Sequence, residues 1–425
     1  MERRFEVRME ELVKDSVIKG PVFEGALERM ISFAKPFVDL LPRAEHQGHL
    51  QTYLGGLVSD LDRKNIEAIA YRHDQDRMNL QRFIGWGAWE HTPLMTEVAR
   101  QVGERIGEND GVIVFDPSGF KKGGKSSVGV KRQWLGRFGK IDNGQVAVYM
   151  GYASRGEHAL VDTRLFLPKE WASDRKRRKK GGVPREIRFC TRHELALEML
   201  NGKRKLLPHR WIAGDDEMGR SSAFRGALRD RNERYLLNVP SNTNIRDLEA
   251  DPPPYAGQGP RPKGGFERVD KWAQALPKEA WQRIDVRDGE KGPLVVEITK
   301  ARVVARTERS RGNESEEVLV VTRSLEEDGN SKCDYSLSNA TFGTPLEEFA
   351  RVEKARHRIE DCIERAKSEA GLAHYEVRNW KGWHHHQVLS LMAVWFLTLE
   401  RLRGKKLDSS TDRFSGSNGS CVAVA

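Results

Sequence analysis

The stretch Gly111 to Phe120, GVIVFDPSGF, constrains the fold more than any other part of the chain. Val112, Ile113, Val114 and Phe115 form a short apolar run rich in β-branched residues, which ends on Asp116 and a Pro-Ser-Gly turn. An unbroken apolar run of this length predicts a central strand buried on both faces. Such a strand carries one carboxylate at its C-terminal tip. An acid there is costly to bury unless it is paired or faces a cation, so the sequence already marks Asp116 as a candidate metal ligand.

The pattern on either side changes period. From Phe23 to Ile106 apolar residues recur at three and four residue spacing (Leu54, Leu57, Val58, Leu61; Ile66, Ile69, Ala70), which predicts several short helices. These could form a helix-turn-helix module or an ordinary bundle, and composition does not separate the two. After Gly111 the spacing predicts strands over Val128–Phe138 and Gln145–Tyr152, with Asp142-Asn143-Gly144 as a hairpin turn. His158 to Pro168 reads as irregular, and the basic run Arg175 to Lys180, RKRRKK, as a solvated loop able to contact phosphates. A helix over Thr191–Asn201 follows, then a buried strand Trp211–Gly214 that ends in Asp215-Asp216-Glu217, a helix over Ser222–Arg229 and a strand over Arg234–Val239. Carboxylates therefore stand at the ends of the first and fourth strands.

Beyond residue 241 this rhythm breaks. Asp251 to Gly265 is rich in Pro and Gly, and Leu294–Arg306 and Glu317–Ser324 read as long antiparallel strands of an inserted β-rich subdomain. Trp272 and Trp281 lie in this insertion, where core packing and stacking on an extruded base are both open. Thr344 is placed to cap a strong helix over Pro345–Ala370, with Pro345 at its first position, and a second helix runs from about His386 to Arg403. The Ser- and Gly-rich tail from Ser409 is expected to be disordered.

Composition narrows the functions. At 425 residues the chain exceeds one ordinary core. The formal charge of +10 and pI near 9.3 point to a polyanionic partner, although a basic enzyme of another kind has the same balance. Cys190, Cys333, Cys362 and Cys421 lie far apart, without the pairs that a zinc site or disulfide framework needs. No apolar run is long enough to span a bilayer, so a reducing, cytoplasmic setting is expected.

One motif competes. Gly119 to Ser126, GFKKGGKS, fits the phosphate-cradling pattern G-x-x-x-x-G-K-[ST], and the strand ending at Asp215 could then be the Mg²⁺ strand of an NTPase acting on nucleic acid. That loop must open a helix whose amides hold the phosphate. Here Ser127-Val128-Gly129-Val130 follows, a strand pattern.

The helix over 345–370 carries Arg356, Glu360 and Lys367 along one face. By spacing alone this is an ordinary salt-bridged face. However, Arg356-x3-Glu360-x6-Lys367 resembles the Tyr-x2-Arg-x3-Glu-x6-Lys signature of one branch of the DDE-superfamily transposases of bacterial insertion sequences, with Glu353 in the Tyr position. Asp116-Pro-Ser-Gly-Phe-x-Lys-x-Gly is similar to that family's first motif. Gly214-Asp215-x-x-Met218-Gly219 is similar to its Gly-Asp-x-x-Tyr-Gly and selects Asp215 over Asp216. Gly371-Leu372-x-His374-Tyr375, Trp380-x-Gly-Trp383-His384-His385-His386 and the stretch Tyr53 to Glu67 extend the resemblance over roughly residues 25 to 403.

The resemblance implies an α/β protein with an RNase H-like core and mixed sheet. A helical DNA-binding domain occupies 1–108, the core 109–240 and 346–405, a β-rich insertion 241–345 and a disordered tail 406–425. It implies that Asp116, Asp215 and Glu360 are the catalytic residues and hold Mg²⁺, for which Mn²⁺ could substitute. Arg356, Lys367, Lys121, Lys122, Lys125, Arg175, Lys176, Arg177 and Arg178 are expected to contact DNA. The expected activity is two-metal strand cleavage and strand transfer at terminal inverted repeats, by a homodimer in the synaptic complex, in a bacterial, nucleoid-associated protein. A transposase-derived DNA-binding protein without cleavage is the alternative. For His384, His385 and His386, structural or DNA contacts are favoured over a metal, because adjacent residues point in different directions.

Overall fold

The computed structural model describes residues 24–136, 139–251, 254, 257, 264–289, 292–306, 315–325 and 331–414. The chain opens with helices Ala26–Val38, Ala44–Val58, Ile66–Arg72, Arg77–Trp86 and His91–Ile106. The sheet then begins with β1 (Val112–Lys121), β2 (Lys131–Leu135), β3 (Lys140–Ala153) and β4 (His158–Leu165), continues through β5 (Trp211–Gly214) and β6 (Tyr235–Asn238), and gains β7 (Asn244–Asp247), β8 (Glu267–Arg268), β9 (Gln282–Gly289), β10 (Gly292–Ala305), β11 (Glu316–Leu325) and β12 (Ser331–Ser338). Helices Leu346–Glu369 and Trp380–Phe414 close the chain.

Five strands form the centre in the order β4-β3-β1-β5-β6. β3 runs antiparallel to both β1 and β4, whereas β5 and β6 run parallel to β1. This order and these directions are those of an RNase H-like fold. The apolar run of β1 is fully buried from Val112 to Phe115, as its unbroken hydrophobic pattern requires. Helix Leu346–Glu369 lies across the sheet, with Trp211 donating from Nε1 to Glu348 (2.7 Å) and meeting Phe349 edge-on.

Several local readings change. His158–Leu165 is strand β4, an ordinary partner of β3. The RKRRKK run is a helix, Arg175–Gly181, capped by the Asp174 side chain at the Arg177 amide and ended by Gly182 in the left-handed conformation. Thr191 forms a reciprocal capping box with Glu194, and that helix reaches Lys203. Pro345, not Thr344, occupies the cap position of helix Leu346–Glu369. The last helix starts at Trp380, six residues before the reading from periodicity, and continues to Phe414. Cys421 and the rest of the tail from 415 lie outside the described residues.

The insertion does not stand apart from the core sheet. β12 pairs with β6, and β11, β10 and β7 follow outward, so one sheet runs through both parts. Its outer half keeps a small hydrophobic core of its own, which includes Val269, Leu319 and Leu337. Trp272 is buried there and donates to Asp247 (2.9 Å), and Trp281 packs against the same cluster beneath Arg323. Both have packing roles. The insertion is tied to the core by a buried ion pair: Glu317 of β11 accepts from Arg225 Nε (2.9 Å) and from the Tyr235 hydroxyl (2.5 Å).

The N-terminal helices share the main hydrophobic core with the sheet. The histidine triplet fastens them. His385 stacks on Trp89 at 3.5 Å with its two ring nitrogens 2.9 Å from the Ile84 and Trp89 carbonyls, to one of which the neutral ring donates, and His386 bonds the Tyr53 hydroxyl (3.0 Å) and the Gly371 carbonyl (2.9 Å). His384 bonds the Trp380 carbonyl and lies against His91. Burial holds His385 and His386 at about 3. Their folded values lie below the unfolded value of about 6.5. The stability they contribute is therefore complete above that pH and is lost progressively as pH falls toward 3. We expect His386→Gln to lose on the order of 2 kcal/mol less stability than wild type between pH 8 and pH 5 in urea titrations. An identical pH dependence in the variant would refute the assignment.

Candidate active site

The site begins with strand register. In the parallel ladder of β1 and β5, Phe115 lies opposite Gly214. The next residues are Asp116 and Asp215, about 5 Å apart in backbone position. Asp215 follows the end of β5, but Asp116 does not end β1: the expected Pro-Ser-Gly turn is extended strand, paired with β3 as far as Lys121, so Asp116 stands where β1 outruns β5. Asp215 also caps the short helix Asp216–Arg220, accepting from the Met218 amide at 3.1 Å. The glycines of its motif have steric work. A Cβ on Gly219 would lie 1.9 Å from the Asn238 carbonyl oxygen, and one on Gly214 would press on Met218.

Glu360 comes from helix Leu346–Glu369. This helix lies close to β3 because Gly151 has no side chain: a Cβ there would come within 2.5 Å of Ile359. Ile359 is fully buried in that contact, and Glu360 follows it. The Glu360 carboxylate is ion-paired to Arg356 and bonded to His357 Nδ1 (3.2 Å). Arg356 is buried and donates from Nε to Glu353 (3.1 Å), which also accepts from Asn238 (3.0 Å) and Ser336 (3.1 Å). The acid in the signature's Tyr position thus orients the arginine.

Charge in the site is unbalanced. Burial pushes Asp116 well above the ordinary carboxylate range, and the charges of Asp215 and Glu360 add to it, against Lys367 and Arg356. Burial and the neighbouring Glu217 and Asp216 charges raise Asp215 to about 7, against the Met218 amide bond and Arg356. Glu360 behaves differently. Burial raises it, but its bond to His357 and the Arg356 charge outweigh this and leave it below the usual value. Two acids held out of their normal range by burial first and by neighbouring carboxylates second form a site that a further cation would relieve.

The charges of Asp215 and Glu360 reach Asp116, and Asp215 and Glu360 line the same cleft. Arg356 and Lys367 face them from the same helix, both buried, with Lys367 near Glu364 (3.7 Å) and above the Phe120 ring. The remaining basic candidates lie elsewhere. Lys122 sits 3.4 Å above the Tyr375 ring, where burial lowers it to about 8. Lys121 pairs with Asp142 at 3.2 Å, and Lys125, Arg175 and Lys176 are exposed. Arg177 stacks on Trp171, whereas Arg178 is spent on the carbonyls of Ala172 and Pro184. The loop after Gly119 leads into β2, not into a helix, so it lacks the amides that an NTPase phosphate loop needs.

The sequence reading missed the far wall. A cleft of about 450 Å³ beside Asp215 and Glu360 is also lined by Asn238, Lys332, Asp334, Tyr335 and His357. Asp334, Glu353 and His357 come within 4.8 Å of one another, in the manner of a metal site. Both Glu353 oxygens are already engaged by Asn238, Arg356 and Ser336, which makes Glu353 a poor ligand. A signal for His357 existed in its place beside Arg356 on the signature helix; β12 gave none.

The strand order and directions of the sheet, with Asp116 within β1, Asp215 just after β5 and Glu360 on the helix across them, define an RNase H-like protein with an acidic cleft. The chain belongs to the DDE superfamily endonucleases, whose family model matches residues 36–293, a span that includes Asp116 and Asp215. A probable transposase for insertion sequence element IS701 from Microchaete diplosiphon is 34% identical over 196 residues, 45% of this chain. The match spans about half, 49%, of that relative. Among solved structures, a piggyBac transposase synaptic complex with hairpin DNA aligns at a TM-score of 0.41 and 8% identity, over 91% of this chain and 74% of that one.

The steric role of Gly151 is testable. Gly151→Ala is expected to cost about 1–3 kcal/mol of stability by pushing the Glu360 helix outward. Gly123→Ala, with nothing within 4 Å of the added carbon, should stay within about 0.5 kcal/mol. Equal urea midpoints for the two variants would count against flush packing.

Proposed function

We propose that this chain is a DNA transposase that cleaves the ends of an insertion sequence at its terminal inverted repeats and joins them to target DNA. What supports the reading most is that the charges of Asp215 and Glu360 act on Asp116, and that Asp215 and Glu360, from a strand end and a helix, line one cleft. Membership of an endonuclease family and the IS701 relative support it.

The donor set fits hard divalent cations. Asp116, Asp215 and Glu360 offer only oxygen, and a few carboxylates suffice for Mg²⁺, which keeps several waters; Mn²⁺ would also be accepted. Two such ions, when bound, supply activation of the attacking oxygen and stabilisation of the leaving one. The chain's own residues do the rest. Glu353 and Arg356 fix the orientation of Glu360, and His357 holds its second oxygen. Arg356 and Lys367 moderate the repulsion among the acids. Lys332, exposed at the rim of the cleft, is placed to meet a phosphate. Lys125, Arg175 and Lys176 extend cationic surface for the DNA backbone, in keeping with the net charge of +10. Two copies acting on paired ends would form the synaptic complex.

Glu360→Gln separates cutting from binding. It keeps size and helix propensity but removes a ligand charge. We expect Mg²⁺-dependent nicking of DNA bearing the element's termini to fall about 10³-fold or more, about 4 kcal/mol of barrier, with end binding unchanged within about twofold. Near wild-type cleavage by the Gln variant would remove Glu360 from the ligand set. Cleavage absent from the wild-type protein, with intact binding, would favour a binding protein derived from a transposase.

A further inference from the structure

A second concave surface shares no lining residue with the acidic cleft. It is a groove of about 810 Å³ between the N-terminal helices, the end of the basic helix Arg175–Gly181 and the segment that leads into the last helix. Its walls are pinned together: Asn379 donates to the Gly85 carbonyl (2.7 Å), and the Val128 amide bonds the Arg378 carbonyl (2.8 Å). The groove is therefore built into the fold.

Its chemistry is cationic with one aromatic face. Lys179, Lys180, Arg378 and Lys381 line it, the first three exposed. The acids on its wall are already paired with arginines: Glu376 with Arg63 at 2.9 Å and Glu67 with Arg77 at 3.0 Å. At its edge stands Trp86, the last residue of helix Arg77–Trp86 and, at 72%, the most exposed tryptophan among the described residues. Folding does not need this indole in water. Four cations beside an open aromatic face match a nucleic-acid strand, whose phosphates need the charge and whose bases stack on a ring without regard to sequence.

We propose that this groove binds a DNA strand outside the cleavage cleft, with phosphates on Lys179, Lys180, Arg378 and Lys381 and an unstacked base on the Trp86 ring. The proposal rests on DNA being the substrate. It adds that the protein grips an unpaired nucleotide through residues that take no part in cutting. The basic helix then serves two surfaces, since Arg177 and Lys125 line a second basic hollow on the other side.

The test is fluorescence anisotropy with a fully paired duplex and the same duplex carrying one unpaired nucleotide. Trp86→Ala should weaken binding of the second DNA about tenfold and of the first less than about threefold, and Trp86→Phe should restore most of the loss. Lys179→Ala with Lys180→Ala should lower the salt slope by about two on both DNAs. Binding of both DNAs and a salt slope that match wild type in these variants would overturn the proposal. Equal loss on both DNAs in Trp86→Ala would overturn the stacking. Poly-glutamate binding that is lost in the lysine variant while DNA binding persists would reassign the groove to an acidic peptide. The two readings fail separately. Wild-type protein with no cleavage but the expected variant effects defeats the catalytic reading alone. Cleaving protein whose variants bind DNA like wild type defeats this one alone.

Discussion

The parallel register of β1 and β5 is the constraint on which the site depends. Phe115 opposite Gly214 places Asp116 and Asp215 as neighbours where the β1–β5 ladder ends. No side-chain flexibility can separate them by more than the lengths of two short residues. The sheet thereby holds two acids where water cannot fully solvate them, and their raised values record that cost. A shift of one residue in this pairing would leave one acid opposite an apolar residue, and the site would be lost.

Glu360 is brought to this pair by packing. Ile359 against the bare backbone of Gly151 lets the helix lie close, and the Trp211 contacts with Glu348 and Phe349 fix it along its length. The polar network around Glu353 then settles the rotamers. Glu353 is held by Asn238 of β6, Ser336 of β12 and Arg356 of its own helix. The insertion therefore reaches the site through β12. A buried, fully bonded network of this kind specifies one arrangement, because any member displaced leaves another polar group unsatisfied.

The same logic joins the N-terminal helices to the core. Three consecutive histidines look like a metal site or a basic patch in sequence. In the fold all three are buried, and burial drives each toward its neutral form. Each neutral ring has one N–H to donate: His386 to Gly371, His384 to Trp380, and His385 to one of the Ile84 and Trp89 carbonyls it lies between, which ties the last helix to earlier parts of the chain. A groove at this junction is rigid for that reason.

Much of this was legible in the sequence. The buried run Val112–Phe115, the strand Trp211–Gly214 before Asp215 and the helix of Glu360 follow from unbroken apolar runs and helical period, because burial on two faces or along one stripe leaves those patterns in the residues themselves. The end of the first strand was misplaced: pairing with β3 carries it through Pro117-Ser118-Gly119 to Lys121. The family resemblance followed from spacing within single helices and turns. What the sequence misplaced was set by distant partners. The run RKRRKK reads as a loop, yet Asp174 and Gly182 cap it as a helix and Trp171 stacks under Arg177. β4 reads as irregular because β3 supplies its pairing from the neighbouring strand. The far wall of the cleft at Asn238 and Asp334 was invisible, because nothing local tells that β12 pairs with β6. Local sequence determined where the central strands and the Glu360 helix lie and which acids they carry. Only the tertiary structure decided which acids meet, because strand pairing and close packing join residues that no spacing along the chain relates.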